Sequence, residues 1–463
     1  MEHIFTYPRE DYDAGKLTYE QIKTLVVKHE SIAVPQMRRN LNYYLGHHDI
    51  ESRVRKDDGP NYKPVCNHAK DITDIASGYF MGHPIGYSCR ADGNANGVEQ
   101  LKKDLRIAYA AEVDTEHSKQ ASIFGLSYEY IYREEDSKTK RIKALSPMET
   151  FIVVDDTIEH KKLFGVNYYK KTDDANSKRE TTYTILLATE KEIRIYDGKK
   201  PEDYESYEHN LGYVPIIEVR NDKYGIGDFE QVIGLIDAYN ALQADRVDDK
   251  DQFVDAILVI YGSLLGSTKK SSKEAHDELK KEKFLELDED ARAEYLTHTL
   301  DEQGAEVLRK SLKEDIYTLS QVPNLSDQNF AGNSSGVAME YKLLGLEMKT
   351  ETKELWYRKA LRERLQIFLH DLGIGQVAVA EEDIEIKFSR GLPRNILELS
   401  QIMVNLNDKV SRKTLLGLLP FVEDPEDEIK ALNQQADIVA QREAAAEGLR
   451  YNTPIVKDEG DDE

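Results

Sequence analysis

The sequence predicts an α+β protein, mainly helical, with one largely antiparallel sheet. Three observations carry this. Residues 126–220 read as a succession of aromatic and β-branched strands with no helical crossover between them. The segments on either side place apolar residues at helical spacing. Residues 337–372 hold the longest helical pattern, which at about 1.5 Å per residue would span about 54 Å.

Taken in order, residues 17–50 read as helical through YEQIKTLVVKHE and close in NYYLGHHDI, where Gly46 can stop the helix. A second helix is expected over 65–80 and a third over 97–109. The strands follow as SYEYIYRE, FIVVDD, FGVNYYKK, TTYTILLAT and EIRIYDG, separated by charged or Asn/Gly turns. Helix returns over 227–251, with Phe229, Val232, Ile233, Ile236 and Tyr239 on one stripe. A strand (DAILVIYG), a charged insert over 263–300 and a helix over 303–319 come next. In the long helix the expected apolar stripe is Tyr341, Leu344, Met348, Leu355, Leu361, Leu365 and Phe368. Strand-like VAVAEEDIEIKFS leads into helices over 396–407, 411–418 and 424–448, and the acidic end KDEGDDE reads as disordered.

Length and composition fit two to four domains or sub-domains with a charged surface: 463 residues, 32% charged, 40% hydrophobic. A net charge of -24 argues against a surface that wraps nucleic acid, since neutralising phosphates requires clustered Lys and Arg. Cys66 and Cys89 lack the spacing of a zinc site or a disulfide framework, which fits a reducing cytosol. No apolar signal segment opens the chain and no run of about 18 apolar residues spans a membrane, so no membrane partner is expected.

No sequence motif speaks for catalysis. The triplet HHD at 47–49 cannot converge on one ion from a regular helix, and no distant Cys/His supplies the remaining ligands. GIGDFEQ at 225–231 lacks the preceding strand and later acidic residue of a dinucleotide fingerprint. There is no phosphate-binding loop, HExxH or nucleophile elbow. Catalytic residues, a metal and a cofactor are therefore not expected.

Two features remain. Lys269, Lys270 and Lys273, with Lys280, Lys281 and Lys283, form two basic clusters interleaved with Glu and Asp. They read as a salt-bridged helix face, a nucleic-acid contact or a protein-docking surface. The other is VPNLSDQNFAGNSSG, residues 322–336, a polar glycine-bearing loop inside a stretch with no Lys or Arg from Glu314 to Tyr341.

The order of blocks resembles the portal proteins of tailed bacteriophages, in the branch found in long-tailed phages of Gram-positive bacteria. The blocks are NYYLGHHDI, AKDITDIASGYFMGHPIGY, GIGDFEQVIGLIDAYNALQADRVDDKDQFVDAILVIYG, SSGVAMEYKLLGLEMKTETKE and IKFSRGLPRNILELSQIMVNLNDKVSRKTLLGLLPFVEDPEDEIKAL. The resemblance implies a fold of wing (1–226), stem helices (227–252 and 303–321), clip (253–302), tunnel loop (322–336), long helix with a return to the wing (337–395), crown (396–450) and acidic tail (451–463). It also implies a homo-oligomeric ring, typically a dodecamer, at one capsid vertex, carrying double-stranded DNA without sequence specificity. Terminase, a head–tail connector, and the major capsid and scaffolding proteins would be its partners. It would reside in the virion after assembly in the host cytoplasm.

In that frame Asn324, Ser326, Asp327, Gln328, Asn329 and Phe330 are expected to face DNA, with Phe330 either anchoring the loop onto its own helix, the favoured role, or packing against the adjacent loop. The six clip lysines are expected to dock partners. Phe229, Val232, Ile236 and Tyr239 are expected to pack between subunits, because an isolated helical hairpin has little to bury. A head–tail adaptor is the alternative, although adaptors are shorter and lack a hairpin followed by so long a helix. A nucleic-acid enzyme is the weaker one.

Overall fold

The computed structural model describes residues 5–55, 59–90, 95–136, 139–172, 181–252, 257–261, 292–296, 302–326, 336–374, 379–391, 396–407, 409–419, 422 and 425–451. The chain divides into two compact units. One comprises Met1–Leu41, Ile72–Glu230 and Gln321–Glu463, the other Asn42–Asp71 and Gln231–Ser320.

The first unit opens with β1 (Phe5–Tyr7), α1 (Arg9–Asp13) and α2 (Tyr19–Ile32). Thr18 starts α2 with a capping box: Gln21 N donates to its Oγ1 at 3.4 Å, and Thr18 N donates to Gln21 Oε1 at 2.9 Å. The single helix expected over 17–50 is in fact two. Pro35 has no N–H for a continuing helix, so α2 ends and α3 (Val34–Leu45) restarts with Pro35 in its first turn. At Gly46 φ is +93°, a left-handed stop that favours glycine.

Next come α4 (His68–Phe80), β2 (Gly86–Cys89), α5 (Ala95–Ile107) and α6 (Ala110–Phe124), followed by the strands β3 (Leu126–Arg133), β4 (Lys140–Leu145), β5 (Thr150–Asp155), β6 (Lys162–Thr172), β7 (Thr181–Ala188), β8 (Glu192–Asp197), β9 (Lys200–Glu208) and β10 (Ile216–Arg220). A six-stranded sheet has the order β1-β5-β6-β7-β8-β9 and a three-stranded one the order β10-β3-β4. All these pairings are antiparallel except β1 with β5, which is parallel. The α+β reading with a mostly antiparallel sheet therefore holds. The edge strand β9 carries exposed Glu202, Asp203, Glu205 and Glu208.

Two hydrophobic cores stand out among the described residues of this unit. One packs Ile22 and Val26 of α2 onto Phe151, Val153, Phe164, Val166, Ile185 and Leu187 of the larger sheet. The other joins Leu101 and Leu105 of α5, Ile131, Ile217 and Val219 of the smaller sheet, and Tyr357, Leu361, Leu365 and Phe368 of the long helix α9 (Gly336–Ile374). Each such side chain contributes about 1.5–3 kcal/mol over its exposed state.

The second core is not purely apolar. Arg364 is 1% exposed. Its Nε donates to both Glu129 oxygens at 2.9 and 3.0 Å, and its Nη2 donates to Asp114 Oδ1 at 2.7 Å and also to Glu129. Tyr357 donates to the same Asp114 oxygen at 2.7 Å. Buried His117 lies 3.2 Å from Glu129 and 2.7 Å from the Ser127 hydroxyl. Burial pushes the Glu129 carboxyl up, but Arg364 and His117 overcome it and hold it at about 2.

The expected stripe of α9 is half corrected. Leu361, Leu365 and Phe368 are buried, whereas Tyr341, Leu344, Met348 and Leu355 are exposed. The face turned inward runs through Leu343, Leu346, Thr350, Lys353, Tyr357, Leu361 and Arg364, so two charged side chains occupy core positions. The chain then forms β13 (Ile384–Lys387), antiparallel to β2, and closes with α10 (Ile396–Leu406), α11 (Arg412–Gly417) and α12 (Pro425–Tyr451).

In the second unit α7 (Ile233–Gln252) and α8 (Glu302–Ser320) pack together, and β11 (Ile257–Tyr261) pairs antiparallel with β12 (Arg292–Leu296). Arg246 bridges to Glu302 at 3.0 Å and Glu306 at 3.3 Å. Buried Asp248 receives Arg53 at 2.8 Å, Arg55 at 3.2 Å and Tyr62 N at 2.8 Å. Among the described residues no helix is long and apolar enough to cross a membrane.

Replacing Arg364→Leu strands Glu129 and Asp114 without their cation, and about 3–5 kcal/mol of stability should be lost in urea unfolding. A carboxyl held low stabilises the fold above its ordinary pKa of 4.5, and that contribution fades as pH falls toward about 2. The wild type should therefore lose stability across that acid range, and Arg364→Leu should flatten the dependence. Equal unfolding midpoints for both proteins would refute the role given to Arg364.

Candidate functional site: the loop after helix α8 and its backing helix

The loop without Lys or Arg starts abruptly. Ser320 ends α8 buried, its hydroxyl donating to Tyr317 O at 3.0 Å. Gln321 adopts φ +59°, a left-handed conformation that turns the chain out of the helix. Val322 is buried and acts as an anchor, and Pro323 bars any return to helix. Asn324 then shapes the turn: its Oδ1 accepts from Ser326 N at 3.3 Å and from the Ser326 hydroxyl at 2.7 Å.

Behind the loop, α9 lies close to its root. A side chain added at Gly345 would sit 3.7 Å from Gln321 O, an ordinary contact. Two ionic nodes pin the first half of α9. At the first, buried Asp228 meets Lys349 at 3.2 Å and also Lys353. It further accepts from Ser122 at 2.6 Å and Asn221 at 3.0 Å. Burial raises the Asp228 carboxyl, yet Lys349 and Lys353 bring it below the ordinary carboxylate range. The 225–228 segment is fixed by close approach: at Gly125, φ +84°, a Cβ would meet Gly225 O at 2.0 Å, so only glycine fits. At the second node Arg390 forks onto Glu347 at 2.9 Å and reaches Glu354 at 2.9 Å.

Of the loop residues expected to face DNA, Asn324 is half-buried and Ser326 exposed at the loop root. Asp327, Gln328, Asn329 and Phe330 lie outside the described residues, as do Lys269, Lys270, Lys273, Lys280, Lys281 and Lys283. Phe229, Val232, Ile236 and Tyr239 are 0, 1, 0 and 4% exposed within the single chain. They therefore have little surface to offer a neighbour. Tyr239 also accepts from Arg309 at 3.1 Å and meets the His68 ring edge-on at 4.8 Å. Their burial is already present in the single chain.

His48 of the HHD triplet is a packing residue. It stacks on Tyr43 at 4.5 Å, with Nε2 3.0 Å from Tyr43 O and Nδ1 2.9 Å from Asn240 Nδ2. Among the described residues no group of three or more His, Cys, Asp or Glu is arranged to hold a metal ion. Sequence pattern missed both ionic nodes, since Asp228, Lys353 and Arg390 come from segments far apart in the chain. The one local hint was GIGD, where closely spaced glycines precede an acid.

The sequence profile of the family described as "Phage portal protein, SPP1 Gp6-like" matches residues 25–442. The chain belongs to that family. It is thereby a structural channel component of a phage particle and not an enzyme. The portal protein of Bacillus phage SPP1 is 22% identical over 479 aligned residues, covering 93% of this chain and 92% of its own. The portal protein of Clostridium phage phiCD119 is 21% identical over 429, covering 87% and 92%. Among solved structures, a chain of the "Neck of empty GTA particle computed with C6 symmetry" is 13% identical with a TM-score of 0.44, over 76% of this portal protein and 90% of that chain.

The buried position Ile236 on α7 gives a direct test. Ile236→Asp should unfold the helix pair, lowering the thermal midpoint of the monomer, rather than leave a stable monomer that fails to assemble. Circular dichroism at low protein concentration distinguishes the two, and an unchanged melt would overturn the intramolecular assignment.

Proposed function

We propose that this portal protein forms a ring, a dodecamer, at one capsid vertex, through whose axis double-stranded DNA is driven in by the terminase and later leaves. The observation that carries the reading is the loop after α8: a stretch without Lys or Arg from Glu314 to Tyr341, backed by a helix pinned at Asp228 and Arg390. A conduit for a long polyanion must hold its shape while not gripping what passes. Each Lys on a phosphate adds affinity through counterion release, and a ring multiplies that by its copy number. Asn324, Ser326, Asp327, Gln328 and Asn329 offer weak polar contact instead. An acidic channel wall would also repel the duplex from every side and keep it centred.

The remaining assignments follow the same frame. Residues 1–226 form the wing, 227–252 and 303–321 the stem, 253–302 the clip, and 396–450 the crown. The separate compact unit that contains α7, β11, β12 and α8 supports a stem and clip that act as one module. The clip lysines dock the terminase and then the head–tail connector, while capsid and scaffolding proteins surround the wing. Assembly takes place in the host cytoplasm.

Asp327→Lys or Asn329→Lys should slow or stall DNA translocation in a packaging assay, with rings of normal size by native mass spectrometry. Packaging at the wild-type rate would remove the low-friction role of the loop. Reversing Lys269, Lys270, Lys273, Lys280, Lys281 and Lys283 to Glu should weaken terminase and connector binding by about tenfold or more. Unchanged binding of both would remove the clip assignment.

A further inference from the structure

Two helical faces stay uncovered when the chain folds, and their chemistry is complementary. On α9, Tyr341, Leu344, Met348 and Leu355 are 74, 52, 58 and 70% exposed. They recur at i, i+3, i+7 and i+14, so they share one face. That face continues into exposed Lys359 and Arg362, at i+18 and i+21. Lys359 lies 5.8 Å over the Trp356 ring. Arg362 meets Glu381 at 3.4 Å, with its side chain still 67% exposed.

On α8, Val307, Leu308 and Leu319 are 69, 50 and 63% exposed. Leu308 and Leu319 align along the helix with exposed Asp315 between them, and exposed Glu314 stands alongside. A single exposed leucine is ordinary, but two lines of them on one chain are an interaction surface. One line ends in cations and the other carries acids. In both, leucine and charge are four residues apart, Leu355 to Lys359 and Leu319 to Asp315, the step along which helix ridges interlock. The acidic flank of α8 rules out a phosphate surface there, and the apolar stripe of α9 needs more than a salt contact.

We propose that α8 of one copy of this chain packs against α9 of the next, Leu319 against Leu355 and Asp315 against Lys359. This rests on the ring reading and gives it a specific contact. Two different faces meet, so the interface is head-to-tail, the kind that closes into a ring rather than stopping at a dimer. Because α8 runs straight into the loop without Lys or Arg, the contact also fixes where each loop begins relative to the neighbouring copy.

Rings assembled from mixed light and heavy-isotope chains, treated with a carbodiimide and digested, should yield Asp315–Lys359 links of mixed isotope. Links from Lys359 only to acids of its own chain, such as those after residue 451, or no link at all, would overturn the contact. Leu355→Asp and Leu319→Asp alter exposed positions, so each should keep the wild-type melt while cutting the ring fraction by about tenfold or more in native mass spectrometry. Rings at wild-type yield from both variants overturn this contact and leave the portal ring standing. A wild-type chain that forms no ring overturns the ring and the contact together.

Discussion

One buried guanidinium sets the terms for the larger unit. Arg364 brings Glu129 of β3, Asp114 of α6 and its own helix α9 to a single point without water. A cation removed from solvent is tolerable only when nearly every donor finds a carboxylate, so those elements cannot slide without exposing an unpaired charge. Its Nη1 is the exception, with no partner among the described residues. The surrounding apolar core supplies most of the free energy. The ionic centre selects one arrangement of helix on sheet from the many that a greasy interface would allow.

The same device recurs along α9 and gives the helix its mechanical character. Asp228 takes two lysines, Arg390 takes two glutamates, and Arg364 takes a glutamate and an aspartate. Isolated surface pairs contribute little, but these are buried or half-buried and cross-linked by further hydrogen bonds. A helix held at three stations behaves as a rigid bar.

The element order was legible because apolar periodicity and turn chemistry are local. Gly46 and the strand series could be read from a few neighbouring letters. Helix α6 was missed, and half of the α9 stripe was turned the wrong way, for one shared reason. Both helices face the core with Asp114, His117, Ser118, Ser122, Lys353 and Arg364, which a polarity pattern assigns to solvent. Asp114, His117, Ser122, Lys353 and Arg364 each meet partners from other parts of the chain, and a single-sequence pattern holds no record of such pairings. The stripe from Phe229 to Tyr239 shows a different limit. Its periodicity was real, but periodicity reports that a face is covered and not whether the cover is the same chain or another. Strand β1 was invisible because three residues are too few to show alternation. The loop without Lys or Arg, by contrast, stood out from composition alone.

Strand β9 leaves one edge of the six-stranded sheet open, with four acidic side chains along it. An open edge is a template that any extended backbone can copy, and crowding many subunits around one axis would raise the chance of such copying. Like charges meeting across the would-be seam make that zipper unfavourable. The sheets of separate copies therefore stay separate, and the growing assembly is steered away from runaway fibrous polymerisation.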